Sequence, residues 1–197
     1  MRIEKAKLEY FQAILSPAFE SRMNMIPISS KARIQEEVFR GDIFSLKLNS
    51  GVYACQNIDD PGLIRIPNGK WIYVVTVDNP FELILMAEND IENMVLKTSK
   101  TYLGHTSLTR ELFDTNNSSK QNTYANFRLK IANRRNRTPG NVYAKDVYLA
   151  GDMLFRLGIL QEWTNDSGHY RIKDNIVKFN IPAPLSHMIP IKLFKNV

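Results

Sequence analysis

Between residues 43 and 87 the chain is cut by turn residues into short segments: 43–48, 51–55, 63–66, 71–77 and 81–87. Each is rich in β-branched and aromatic residues, and Asn-Ser-Gly, Asp-Pro-Gly, Pro-Asn-Gly and Asp-Asn-Pro separate them. Such spacing suits strands rather than helices. Connections this short also force antiparallel pairing, since a parallel pair needs a crossover of a dozen or more residues. The region is expected to be an antiparallel meander.

The flanks carry a different period. Ile3, Leu8, Phe11, Ala13, Ile14 and Leu15 fall roughly at helical spacing, with Pro17 as the stop. Ser29-Ser30 can cap a second helix over 31–40, burying Ala32, Ile34, Val38 and Phe39 and ending at Gly41. A further helix is expected over 90–96. Val147, Leu149 and 153–155 form one strand, Leu157-Gly158 a turn and 159–163 the returning strand. Residues 176–179 are read as extended, and Pro182, Pro184 and Pro190 make the tail irregular. The expected fold class is α+β, a mainly antiparallel sheet with N-terminal helices, in a single domain over 1–197.

Charge is uneven along this frame. Residues 118–145 hold Lys120, Arg128, Lys130, Arg134, Arg135, Arg137 and Lys145 and no acid, against a net charge of +6 for the chain. Tyr124, Phe127 and Tyr143 lie among them and can stack on bases. Two uses fit: a solvated polar excursion, or a basic insertion that binds a nucleotide, RNA or an acidic protein through Lys130, Arg134, Arg135 and Arg137.

Several chemistries are excluded by what is missing. The single cysteine, Cys55, can form neither an internal disulfide nor a thiolate zinc site, and it sits in a strand as a small hydrophobe. Trp71 and Trp163 read as core or strand-edge aromatics. There is no glycine-rich phosphate loop, no Gly-x-Ser-x-Gly and no His-Glu-x-x-His, and the histidines at 105, 169 and 187 lack metal-ligand spacing. No cofactor and no metal are expected. No apolar run reaches the ~18 residues of a membrane span, and the N-terminus lacks a signal-peptide core. A cytoplasmic chain is expected, or one delivered to a target cell without a cleavable signal.

Two segments carry the chemistry that is left: Gly104-His105-Thr106-Ser107-Leu108, and 164–170, which ends in Ser167-Gly168-His169-Tyr170. Ala150-Gly151-Asp152 lies between them on a strand. Histidine is the side chain that exchanges protons near neutrality. His105 and His169 facing one cleft can serve as general acid and base, with Tyr170 and Ser107 orienting a substrate and Asp152 fixing a tautomer. Cleavage of a phosphodiester by a ribose hydroxyl fits such a pair, and acyl or glycosyl transfer fits it equally. A structural use fits too: Gly168 turns the chain, Asp166 and Ser167 bond the turn's backbone, and His105 opens a strand while bonded to a carbonyl.

In order, Trp71–Val75, Phe81-Glu82-Leu83, Gly104–Leu108, Ala150-Gly151-Asp152 and Ser167-Gly168-His169-Tyr170 resemble a module. It is similar to the C-terminal region of plant IQ-motif calmodulin-binding proteins and to segments of bacterial secreted effectors and polymorphic toxins. That module carries His-Ser-Ser, Ala-Gly-Glu and Ser-Gly-His-Tyr elements. Here Asp152 replaces the glutamate, Ile172 stands where a proline is usual, and 46 residues separate His105 from Asp152. No IQ motif is present: after Ile34-Gln35 the basic residue of Arg40-Gly41 comes one position late. The resemblance implies that His105 and His169 meet in space, in an effector- or toxin-like domain. The competing reading is a non-catalytic module that binds an acidic protein, a membrane head group or RNA through 118–145.

Overall fold

The computed structural model describes residues 25–30, 35, 38, 40–88, 103–112 and 142–197. Its centre is an eight-stranded sheet built from β1 (Phe44–Asn49), β2 (Val52–Asn57), β3 (Ile64–Arg65), β4 (Gly69–Thr76), β5 (Ile84–Ala87), β8 (Val147–Arg156), β9 (Ile159–Thr164) and β10 (Phe194–Lys195). The spatial order is β10-β9-β8-β4-β5-β1-β2-β3. All pairs are antiparallel except β10 with β9. A separate ribbon pairs β6 (Arg110–Leu112) with β7 (Val142–Ala144). The strands and antiparallel pairing read from residues 43–87 are present, but the meander holds only for β1-β2-β3: β3 is an edge strand, β4 pairs with β5 and β8 instead, and β5 pairs back with β1.

The expectation of N-terminal helices does not hold. Among the described residues the sheet dominates, and both α-helices follow the meander: α1 (His105–Leu108) and α2 (Asp174–Asn180). The helix expected over 3–15 lies outside the described residues, as does the one over 90–96. The helix expected over 31–40 is absent at its described positions, Gln35 and Val38, and a single 3-10 turn occupies Arg40–Asp42. The cause is tertiary. The Gln35 N–H donates to the Thr106 hydroxyl at 2.9 Å, and its carbonyl accepts from Arg110 at 3.1 Å. Backbone groups that find such partners have no need of a helix.

Residues 176–179, read as extended, are helical. Asp174 in the first turn and Lys178 in the last complement the helix dipole. The helix buries Val177 and Asn180, three residues apart on one face. The Asn180 amide donates to the carbonyls of Tyr148 and Ile26 and accepts from the Ile26 N–H, so α2 pins the entering chain to the sheet.

Period two along β4 sorts the core. Trp71, Tyr73 and Val75 join Phe44, Leu85, Met153, Phe155 and Trp163 on the inner face, while Ile72 joins Val38, Ile43 and Met86 beneath Leu108 of α1. Edge-to-face pairs Phe44–Trp71, Tyr53–Phe155 and Tyr73–Trp163 lock the inner side. The C-terminal tail covers that side through Tyr53, whose hydroxyl donates to the Met188 carbonyl, and Trp163, whose indole donates to Pro190. Cys55 is fully buried there, its thiol pushed up to about 12 by burial, and is a core residue.

The β8–β9 turn uses Leu157 (φ 48°) and Gly158 (φ 78°), two positive values that define a type I′ turn matched to the twist of the strands. The sheet curls until this turn reaches β2, where the Tyr53 N–H donates to the Gly158 carbonyl at 2.8 Å. No helix among the described residues is long and apolar enough to cross a membrane.

Candidate functional site

The outer face of the sheet under α1 holds the ionisable cluster. Gly104 precedes α1, and a Cβ there would stand 2.5 Å from the Gln35 amide. Gln35 in turn accepts from both the N–H and the hydroxyl of Thr106, fixing the start of the helix. From that start His105 projects onto β8. Its Nε2–H donates to the Gly151 carbonyl at 2.9 Å, and the same nitrogen lies 4.0 Å from Asp152 Oδ1. Asp152 Oδ2 meets Lys70 Nζ at 3.1 Å, and Lys70 also reaches Glu88 at 3.3 Å.

Gly151 is glycine because the chain passes too close for anything larger. The β8–β9 ladder ends at Met153 with Trp163, and the returning chain then lays Thr164 across β8. A Cβ on Gly151 would stand 2.0 Å from the Thr164 carbonyl oxygen. That carbonyl accepts the Tyr73 hydroxyl at 2.9 Å, and the Thr164 hydroxyl accepts the N–H groups of Asp152 and Asp166 at 3.2 Å. The Ala-Gly-Asp element is thus a docking point for the 164–170 turn, which brings Asp166 and His169 into the field of His105.

His105 is only 8 % exposed. Burial holds its imidazole below the ordinary histidine range; the Gly151 carbonyl and the Asp152 carboxylate pull the other way, and the charge of His169 lowers it further. The ring is therefore neutral at pH 7, with Nε2 protonated and Nδ1 carrying the lone pair. Burial raises the Asp152 carboxyl above its usual value, while Lys70 and His105 oppose the rise and Asp166 adds to it. Burial also works against charge on Lys70, but Asp152 and Glu88 prevail and raise its ammonium.

The other expected site residues serve the scaffold. The Ser107 hydroxyl accepts the Gly104 N–H at 3.2 Å and the Ser107 N–H donates to the Gly104 carbonyl, closing the first turn of α1. Tyr170 is fully buried; its hydroxyl donates to the Lys145 carbonyl at 2.9 Å and accepts from Thr109 at 2.6 Å. His105 opens a helix rather than a strand. Lys130, Arg134, Arg135 and Arg137 lie outside the described residues.

Lys70 and Glu88, which the sequence did not single out, complete the cluster beside Thr164 and Asp166 of the 164–170 segment. Alternation along β4 placed Lys70 opposite Trp71, but only the β4–β8 register, Lys70 with Leu154 and Ile72 with Asp152, brings it to Asp152.

A cavity of about 630 Å³ lies beside α1, its wall formed by Val38, Ile84, Ser107, Leu108, Arg110 and Lys145 among others. Ser107 belongs to this wall; His105, Asp152 and His169 do not. The ribbon beside it is anchored to the same place: Leu112 pairs with Val142, and the Lys145 N–H donates to the Thr109 carbonyl, next to the wall residues Arg110 and Lys145.

Comparison of the chain with protein-family models, with curated proteins and with solved structures finds no match.

Proposed function

We infer that Lys70, His105, Asp152 and His169 form an acid–base site for a phosphodiester or nucleotide substrate. The observation that carries this reading is the shared field. A buried imidazole lies 4.0 Å from a carboxylate that is itself held by a lysine, and a second histidine is near enough to disfavour its charge. Stable packing has little use for such a set, because each buried ionisable group costs desolvation energy. Within it, His169 is the more exposed ring and meets the substrate. It takes the proton of a ribose 2′-hydroxyl as that oxygen attacks phosphorus and closes a cyclic phosphate; the bond from phosphorus to the next nucleoside's 5′-oxygen breaks, and that oxygen leaves with a proton from water. His105 is a positioning residue, fixed by Gly151, that with Asp152 sets the charge of the site. Lys70 faces the phosphoryl oxygens, where fixed positive charge stabilises the transition state. The effector- or toxin-like character belongs to this same proposal and rests on the motif resemblance.

The test is hydrolysis of a mixed oligoribonucleotide by the full chain. Activity is expected to fall roughly 100-fold or more in His169→Gln and in Lys70→Gln, as for loss of an acid–base or charge-stabilising group. Thermal unfolding should stay near wild type. Absence of cleavage by the wild type, or full activity in His169→Gln, would overturn the reading.

The structural employment of Ser107 and Tyr170 favours a second reading, a non-catalytic module that holds RNA or an acidic protein through residues 118–145. Binding would then weaken steeply with salt, survive His169→Gln and be lost when Lys130, Arg134, Arg135 and Arg137 become glutamine.

A further inference from the structure

Three turns gather at one end of the sheet: residues 49–52 between β1 and β2, 66–69 between β3 and β4, and 156–159 between β8 and β9. Backbone bonds hold them together. The Gly158 N–H donates to the Pro67 carbonyl at 2.8 Å, the Leu157 N–H donates to the Asn68 side-chain oxygen at 3.1 Å, and β2 returns the contact through Tyr53. The side chains they present are apolar and open to solvent: Val52 is 42 % exposed, Ile66 56 %, Leu157 73 % and Ile159 46 %. They are contiguous, since a Cβ on Gly158 would stand 2.9 Å from Val52 Cγ1 and 3.1 Å from Ile66 Cγ2. Ile64, 58 % exposed, lies two residues before Ile66, just upstream of the same turn.

Leu157 is the residue that folding explains least. It takes the first position of a type I′ turn, where Asn, Asp or Gly fit the positive φ, and it returns no burial for that cost. The three turns contain no Asp or Glu. Arg156 precedes Leu157, and Lys47 stands exposed opposite Ala54 in the β1–β2 register. Neither cation has an ion pair among the described residues.

We propose that this end of the sheet docks on an anionic lipid surface, with Leu157, Ile66, Val52 and Ile159 entering the headgroup boundary and Arg156 and Lys47 facing the anionic headgroups. Charge complementarity selects this occupant: the tip is acid-free, flanked by free cations, on a chain of net charge +6. Size argues the same way. A stable protein interface needs about 800 Å² per partner in a fitted patch, whereas a lipid boundary accepts a few separate apolar side chains backed by bases. The inference does not depend on the acid–base site.

Co-sedimentation of the full chain with vesicles of phosphatidylcholine, with and without phosphatidylserine, tests it. Binding is expected only with phosphatidylserine and should weaken with salt. Leu157→Asn suits the turn, so its unfolding midpoint should match or exceed wild type, while vesicle affinity falls about tenfold or more. Arg156→Gln should weaken binding to the anionic vesicles. Failure of the wild type to bind phosphatidylserine vesicles at low salt would overturn the proposal, as would equal binding by Leu157→Asn. So would self-association that Leu157→Asn abolishes without any vesicle binding, since the patch would then be an interface between copies.

Discussion

Two polar groupings are built from the same pair of segments, residues 105–109 and the turn that follows β9, and they are held in different ways. In one, the Thr109 hydroxyl donates to Tyr170, whose own O–H donates to the Lys145 carbonyl. In the other, His105 lies against Gly151 and Asp152 with His169 in its field. The first is a closed set of neutral donors and acceptors, and burial only pushes the Tyr170 hydroxyl further from ionising. The second holds three groups that change charge: Asp152 and His169 act on His105, and His105 acts on Asp152. Neighbouring residues of one motif, His169 and Tyr170, thus belong to different parts of the molecule, one to the charged cluster around His105 and one to the frame beneath it.

The largest effect should come from breaking the platform on which the second grouping rests. Gly151→Ala would drive a methyl group into the Thr164 carbonyl, a backbone atom with little room to yield. Loss of about 3 kcal/mol or more is expected in denaturant unfolding, at the severe end for one added methyl. A loss under about 1 kcal/mol would show that the 164–170 turn is not packed on β8 as described.

Next comes the hydroxyl knot. Tyr170→Phe leaves the Lys145 carbonyl and the Thr109 hydroxyl without their buried partner, at a cost of about 1–3 kcal/mol. If the two groupings are separate, the variant should titrate its histidines as wild type does, read by NMR. Displaced histidine titrations in Tyr170→Phe would merge the two into one network.

A smaller effect separates them by pH. The folded pKa of His105 lies below its unfolded value near 6.5, so its contribution to stability is present above that pH and is lost as pH falls through the folded value. Asp152 acts in the opposite sense within the carboxylate range. Its raised pKa gives stability that is full below about 3.9 and is lost as pH rises through the folded value. The unfolding midpoint should therefore fall between pH 7.5 and 5. His105→Gln, which keeps an amide donor for Gly151, should flatten that slope, whereas Tyr170→Phe should lower the whole curve without changing its shape. An unchanged slope in His105→Gln would assign the pH dependence elsewhere.

The same contrast explains what could be read from the sequence. Period-two segments and their turn residues were enough for the strands of 43–87 but not for their order, and the Leu157-Gly158 hairpin was legible from its glycine, which suits the positive φ of the second turn position. Helix against strand went wrong where tertiary bonds decide: Gln35 gives its backbone groups to Thr106 and Arg110, and residues 176–179 bury Val177 and Asn180 at helical spacing in a segment too short to show a period. Of the site, the motif residues His105, Asp152 and His169 were legible, but the roles of Ser107 and Tyr170 were not. A hydroxyl or phenol in a polar motif looks the same whether it faces a substrate or ties two strands. Lys70 was hidden for another reason, since it joins Asp152 through a strand register that no local pattern encodes.

The titration of His105, followed by NMR in the wild type and in His169→Gln and Asp152→Asn, tests the shared site most directly. Its pKa should lie below 6.5, rise when His169 loses its charge and fall when Asp152 loses its own. A His105 that titrates identically in all three proteins would mean that the two histidines and the carboxylate do not form one site.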